Sequence, residues 1–228
     1  MIEYVLNNHL VEIMLSYWMF VYVTKLFSYK YLNRHRDIRS VESKGILSIL
    51  LSSDYWFSRY FKLQIIQNVF DKKGRLVELF NQVNLALSFC IFFALIFVWQ
   101  SWHVPNILIS LVVIRCVSRS FEISYAFLMD VIYQKSNTSN LDKFHRIRLA
   151  LSSYIEIYVL YASVYFVFDP SSYGLEALVK SLGVGTFTNV SAAFQCSSDI
   201  FTLLVYGQVF TTLILVLMSL AVYVGRSE

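Results

Sequence analysis

Residues 149–168, LALSSYIEIYVLYASVYFVF, lead through Asp169-Pro170 into the stretch 172–182, SYGLEALVKSL, and the turn 183–189, GVGTFTN. The apolar run 200–225, IFTLLVYGQVFTTLILVLMSLAVYVG, follows. Two of these segments are long enough to cross a bilayer, which takes roughly 20 mostly apolar residues. Between them lies a short amphipathic stretch that ends in a polar turn of small residues. Irregular backbone survives at membrane depth only where it is buried in protein or lines water. The 183–189 turn therefore reads as a pore lining.

The rest of the chain has the same character. Its 228 residues are 57% hydrophobic and 17% aromatic, with a mean hydropathy of +0.57. That composition excludes an ordinary soluble domain and leaves room for one membrane unit. The net charge is +4, and 11 of the 19 Lys and Arg fall between Lys25 and Arg75. The cluster abuts hydrophobic segments. It fits a cytoplasmic surface against anionic lipid better than direct nucleic-acid binding. Cys90, Cys116 and Cys196 and the four histidines form no ligand spacing. No phosphate loop, nucleophile elbow or carboxylate pair is visible. No catalytic residue, metal or cofactor is expected.

Four spans are expected, at about 80–101, 106–133, 147–168 and 200–225. Trp102-His103-Val104-Pro105 splits the first two. The positive-inside rule tests the count. Residues 24–78 are rich in Lys and Arg, and the 134–147 loop carries Lys135, Lys143 and Arg146. The 102–105 connection has no Lys or Arg, and the 169–199 region has only Lys180. Every segment agrees with four spans and both ends in the cytoplasm. The domain expectation is a basic, amphipathic region at 1–79, a two-span hairpin at 80–134 and a pore-like module at 147–228. Within 1–79, residues 10–23 are very apolar but short. An interfacial amphipathic helix is favoured there over a fifth span, which would put the N-terminus outside.

Within the pore-like module, Pro170 suits the start of a new helix and Glu176 suits its first turn. Gly183 and Gly185 permit the backbone angles that a filter needs. Thr186, Phe187, Thr188 and Asn189 complete the turn and supply hydroxyl and amide oxygens. Copies around an axis would stack these oxygens into rings for a permeant ion. The alternative is an ordinary extracellular loop. In the last segment Gln208, Thr211 and Thr212 share one helix face. They read as a cavity lining beside a Gly207 hinge, or as polar glue between packed helices. Arg115, Arg119 and Glu122 share a face of the second span, and Glu156 sits in the third. Charges at bilayer depth need partners, so these four are expected to pair. A voltage sensor is the sharper reading, but such sensors carry a longer basic ladder.

Particular residues carry a resemblance. Arg148-Leu149-Ala150-Leu151 with Ser153-Tyr154-Ile155-Glu156, then Ala177-Leu178 and Ser181-Leu182, resemble the two-transmembrane pore domain of the potassium-channel superfamily. The small bacterial potassium-channel-like membrane proteins are the most similar, and Arg119-Ser120-Phe121-Glu122-Ile123 resembles their Arg/Phe-Glu element. The resemblance covers roughly residues 106–225. It implies an all-α, homotetrameric pore with four transmembrane helices plus a re-entrant helix. The family filter Thr-Val-Gly-Tyr-Gly-Asp is absent; from Thr186 this chain reads Thr-Phe-Thr-Asn-Val-Ser. The implied pore is then non-selective, anion-permeable or normally closed. The functional expectation is an oligomeric, ion-channel-like pore in the inner membrane, cation-conducting or weakly selective, acting as a depolarising effector of bacterial defence triggered by a cytoplasmic partner. The alternative is a non-conducting scaffold that anchors a cytoplasmic partner through the basic N-terminal region.

Overall fold

A computed structural model of the chain describes residues 2–32, 53–64, 70–101, 106–132, 143–169, 173–191 and 199–225. Among these residues the fold is all-α. The helices are α1 Ile2–Leu32, α2 Ser53–Gln64, α3 Phe70–Ser101, α4 Asn106–Ile132, α5 Lys143–Phe168, α6 Gly174–Gly185 and α7 Asp199–Gly225. Two segments are long and apolar enough to cross a membrane, Gly74–Val98 in α3 and Phe144–Phe168 in α5. Phe201–Leu217 in α7 is a shorter apolar stretch. In α4, which has 27 residues, Arg115, Arg119 and Glu122 interrupt the apolar run. The expected connection at 102–105 and most of the 134–147 loop lie outside the described residues.

α5 is the central helix. It packs on α3, α4, α6 and α7. Residues 156–167 are buried on every side, as a helix apolar all round must be. Ile157, Leu160, Val164 and Tyr165 form the main core with Val112 and Cys116 of α4 and Phe201 and Val205 of α7. A second cluster ties Tyr29 of α1 to Phe61 of α2 and to Leu76 and Phe80 of α3. α3 is 32 residues long and continuous. The boundary expected at 79/80 therefore falls inside a helix, where no proline or glycine could stop it.

α1 departs from the amphipathic expectation. Its inner face carries Ile13, Tyr17, Val21, Lys25, Ser28 and Tyr29, all buried. Its outer face carries Leu15, Met19, Val23 and Phe27. Met19 and Phe27 are each 71% exposed, whereas Lys25 is 2% exposed. A helix lying on a bilayer surface does the opposite and turns its charges to water. The inversion follows from partners, because the polar side chains of α1 meet polar groups inside the bundle. The same pattern runs through the chain. Phe93 and Phe97 of α3 and Leu203 and Phe210 of α7 point outward, while Arg115, Arg119 and Glu156 are buried.

Candidate functional site

Two polar assemblies lie inside the bundle, one on each side of α5. The first is charged. Arg119 of α4 holds Glu156 of α5 with two parallel hydrogen bonds, Nε to Oε1 at 2.7 Å and Nη2 to Oε2 at 2.7 Å. Its Nη1 donates to Glu122 one turn away. Glu122 also accepts from Ser58 of α2 at 2.6 Å and faces Lys25 Nζ of α1 at 3.6 Å. Fork-to-carboxylate pairing fixes geometry as well as charge, so α4 and α5 are locked in register.

Arg115 joins neither glutamate. It donates to Asn84 Oδ1 of α3 at 3.3 Å, and its Nη1 stands 4.0 Å from Asp54 Oδ1 of α2. The other Asp54 oxygen accepts from Tyr17 of α1 and from Ser118 at 3.0 Å. Asn81 extends the assembly. Its amide donates to the Leu149 carbonyl at 3.3 Å and its oxygen accepts from Ser153 at 3.1 Å. Three buried cations (Lys25, Arg115, Arg119) thus meet three buried carboxylates (Asp54, Glu122, Glu156). The charges balance, but the hydrogen bonding is uneven: Arg119 is filled by its two glutamates, whereas Lys25 Nζ, Asp54 Oδ1 and Arg115 Nε and Nη1 are buried without a hydrogen-bond partner among the described residues, and each is held only by the opposite charge nearby. Sequence reasoning found the four residues on α4 and α5 but missed Lys25, Asp54, Asn81 and Asn84. One signal was available: Lys25 follows Ile13, Tyr17 and Val21 at four-residue steps, on one helix face.

The second assembly is neutral in its buried part and carries one ion-pair cluster at its rim. From the middle of α6, Lys180 meets Asp169, just past the end of α5, at 2.7 Å and Glu176 of its own helix at 3.2 Å. Burial lowers the Lys180 pKa, but the hydrogen bonds to Asp169 and Glu176 outweigh it and hold the ammonium above its ordinary range. Further along, Ser181 donates to the Tyr158 carbonyl at 2.8 Å, and the Tyr154 hydroxyl donates to the Gly185 carbonyl at 3.1 Å. Tyr154 stands 14 residues before Phe168, the last residue of α5. The end of α6 is therefore level with the middle of α5.

The glycines do a different job from the one expected. Both lie within helix α6 and neither has a positive φ. Gly185 is there for close approach: a Cβ would sit 2.0 Å from Tyr158 Cε1. The left-handed residue is Phe187, at φ 60°, a costly conformation for a side chain with a Cβ. The turn is compact. Thr188 and Asn189 both donate their backbone N–H to the Gly183 carbonyl, at 3.0 and 3.1 Å. The Thr186 hydroxyl bonds the Leu182 carbonyl at 2.8 Å and lies 2.9 Å from the Thr188 hydroxyl. Thr186, Phe187, Thr188 and Asn189 are all exposed.

Gln208, Thr211 and Thr212 are buried within the single chain. Gln208 accepts from the Tyr165 hydroxyl and donates to Ser181, to the carbonyl at 2.8 Å and to Oγ at 3.0 Å. It fastens α7 to α5 and α6. The two threonine hydroxyls bond back to carbonyls of their own helix, Thr211 to Gly207 and Thr212 to Gln208, each at 2.8 Å. Gly207 lies close to Tyr161, whose hydroxyl is 3.1 Å from where a Cβ would stand. Within one chain Gln208 thus attaches helix to helix, while the two threonine hydroxyls serve their own helix. No family model, characterised protein or solved structure matches this chain.

Proposed function

We propose that this chain is a multi-pass membrane protein in which α5, α6 and α7 form the pore-like unit of an oligomer. Four copies would bring their 186–189 turns together around an axis. One observation carries the proposal: α6 runs back along α5, with Lys180 reaching Asp169 at the end of α5, Ser181 at Tyr158 and Gly185 at Tyr154, so that it stops level with the middle of α5. Fourteen residues of α5 span about 21 Å, more than half of a hydrocarbon core roughly 30 Å thick. If α5 crosses the bilayer, the turn lies deep within it. There Thr186, Thr188 and Asn189 stand as exposed polar side chains, a surface that hydrocarbon disfavours even though their oxygens also bond within the turn. Neighbouring copies and water accept it. The strained backbone at Phe187 adds support, since such strain collects at functional sites.

A specific feature favours a second reading. The oxygens of the turn are already engaged within the turn, so a non-conducting scaffold is also consistent with the geometry. Planar-bilayer recording of the purified full chain separates the two. A pore gives discrete conductance that Thr188→Leu and Asn189→Leu abolish while assembly is unchanged. A scaffold gives no conductance. Its function is then lost on neutralising Arg34, Arg36, Lys72 and Lys73, not on changing the turn.

A further inference from the structure

We infer that α1 crosses the bilayer as an additional span, with its Leu15, Met19, Val23 and Phe27 stripe against lipid acyl chains and its Ile2 end on the face opposite the basic 24–78 region. The inference rests on the membrane reading above and extends it to a helix that the hydropathy of the chain does not single out.

The register of α1 on α3 sets its depth. Lys25 of α1 lies over the Phe80 ring of α3, 4.6 Å from its centroid. Tyr29, four residues on, packs in the same cluster as Leu76, four residues back along α3. In the other direction, Phe20 lies under Arg115, 5.8 Å away, and Arg115 donates to Asn84. Steps up α3 from Leu76 through Phe80 to Asn84 therefore match steps down α1 from Tyr29 through Lys25 to Phe20. The two helices run antiparallel and level. Gly74–Val98, the apolar segment of α3, then stands opposite roughly residues 7–31 of α1, each covering about 36 Å at 1.5 Å per residue. α1 is 31 residues long, enough to follow α3 for that distance. If α3 crosses a bilayer, α1 crosses it beside α3.

Side-chain chemistry points the same way. The charged and hydrogen-bonding contacts from the middle of α1 to other helices face inward: Tyr17 to Asp54, Lys25 to Glu122. What faces outward between Leu15 and Phe27 is chiefly a stripe at four-residue spacing of large apolar groups, 55–71% exposed, with Ser16 beside it and the exposed charges Glu12 and Lys30 near its two ends. Water would leave this stripe as an apolar patch along a helix several turns long, which soluble surfaces avoid. Acyl chains accept it, and an isolated partner helix is not needed. Charge asymmetry agrees. Lys30 lies in the last turn of α1, the end that stands level with the start of α3, where Lys72 and Lys73 fall in the sequence, and the positive-inside rule makes that side cytoplasmic. α1 parallel to α4 and α7 and antiparallel to α3 and α5 keeps this rule intact at every connection.

The test uses the full chain with Cys90, Cys116 and Cys196 replaced by alanine and single cysteines at Asn8, Lys72 or Ser171. A membrane-impermeant maleimide is applied to sealed, right-side-out membranes before and after permeabilisation. Asn8→Cys and Ser171→Cys should label equally in both conditions, and Lys72→Cys only after permeabilisation. Asn8→Cys labelling only after permeabilisation, with Ser171→Cys as expected, overturns the inference and leaves the pore-like reading standing. Equal labelling of Ser171→Cys and Lys72→Cys in sealed membranes removes the membrane topology on which both rest. A protease-cleavable tag before Met1 reads the same side without relying on thiol reactivity; cleavage from outside supports the inference and cleavage only after permeabilisation overturns it. Met19 stands opposite the centre of the α3 segment. Met19→Asp should lower membrane-inserted yield by ~10-fold or more if lipid covers it, and an unchanged yield means water does.

Discussion

The two sides of α5 hold their helices together by different means. On one side Arg119, Glu156, Glu122, Lys25, Arg115 and Asp54 join α1, α2, α4 and α5 through charge, with Asn81 and Asn84 of α3 at the edge. On the other side Ser181, Gln208, Tyr154 and Tyr165 join α5, α6 and α7 through neutral hydrogen bonds and a close glycine contact. A buried charge without its partner is very costly, so the charged side has one acceptable arrangement. Neutral hydroxyls and amides in a membrane contribute only modestly and find substitutes. The charged side is thus suited to be a fixed frame. The neutral side, which carries the polar turn, is suited to shift.

The largest expected effect breaks the frame. Arg119→Met leaves Glu122 and Glu156 buried without their shared cation, at a cost of about 3–5 kcal/mol. Loss of monodisperse protein in mild detergent, or a collapse of the thermal midpoint, is the expected outcome. Glu156→Gln keeps a hydrogen-bond acceptor for Arg119 and should be milder. Equal, small effects from both would mean that the frame is not charge-locked and the contrast between the two sides is wrong.

The next effect belongs to the neutral side and is steric. Gly185→Val places a Cβ into the Tyr158 ring, and overpacking of this kind costs about 1–3 kcal/mol. Gly183→Ala meets only Asn189 Cβ, at 3.2 Å, so a small adjustment accommodates it. Limited proteolysis at the 186–191 turn should increase for Gly185→Val and stay near wild type for Gly183→Ala. The reverse order would place the close approach elsewhere.

These two predictions show what the sequence made legible. The spacing of Arg115, Arg119 and Glu122 announced a charged helix face, and Glu156 lay in a separate apolar run, so their burial was readable from hydropathy and period. The remainder of the frame was not. Lys25 sits near the end of an apolar stretch, where a snorkelling lysine is the ordinary outcome. Asp54 heads a short aromatic-rich helix that looks like a surface element. Their partners come from other helices, which no local pattern encodes. The glycines of α6 were readable as important but not for the right reason. Backbone freedom and close packing leave the same letter in a sequence, and only the position of Tyr158 decides between them.

A smaller effect is expected at Gln208. Gln208→Leu removes the acceptor for Tyr165 and the donor to Ser181. Polar contacts between membrane helices average about 0.6 kcal/mol, and a stranded buried hydroxyl raises the cost to about 1–2 kcal/mol. The thermal midpoint should fall slightly, with assembly retained. If α7 shifts when the pore-like unit opens, the same change alters conductance more than stability. A large loss of stability would move Gln208 into the frame and leave the neutral side as fixed as the charged one.

The smallest effect on folding is expected at the turn. Thr188 and Asn189 are exposed, and substitutions at exposed sites usually change stability by no more than about 0.5 kcal/mol. The Thr188 hydroxyl meets the Thr186 hydroxyl at 2.9 Å and the Gly183 carbonyl at 3.4 Å, but these contacts are exposed, and the backbone N–H groups of Thr188 and Asn189 close the turn on the Gly183 carbonyl. Thr188→Leu and Asn189→Leu should therefore leave the thermal midpoint and the oligomer mass unchanged. Conductance is where they separate the readings. Leucine removes an oxygen and adds apolar bulk at the level of mid-α5, and a pore constricted there loses current through both the missing oxygen and dewetting. Phe187→Gly supplies the converse: it relieves the backbone at φ 60°, stabilises by about 1 kcal/mol, and frees the turn to rearrange. Loss of current in the leucine variants together with changed gating in the glycine variant places function in the turn. Unaltered current in all three moves any conduction pathway away from it.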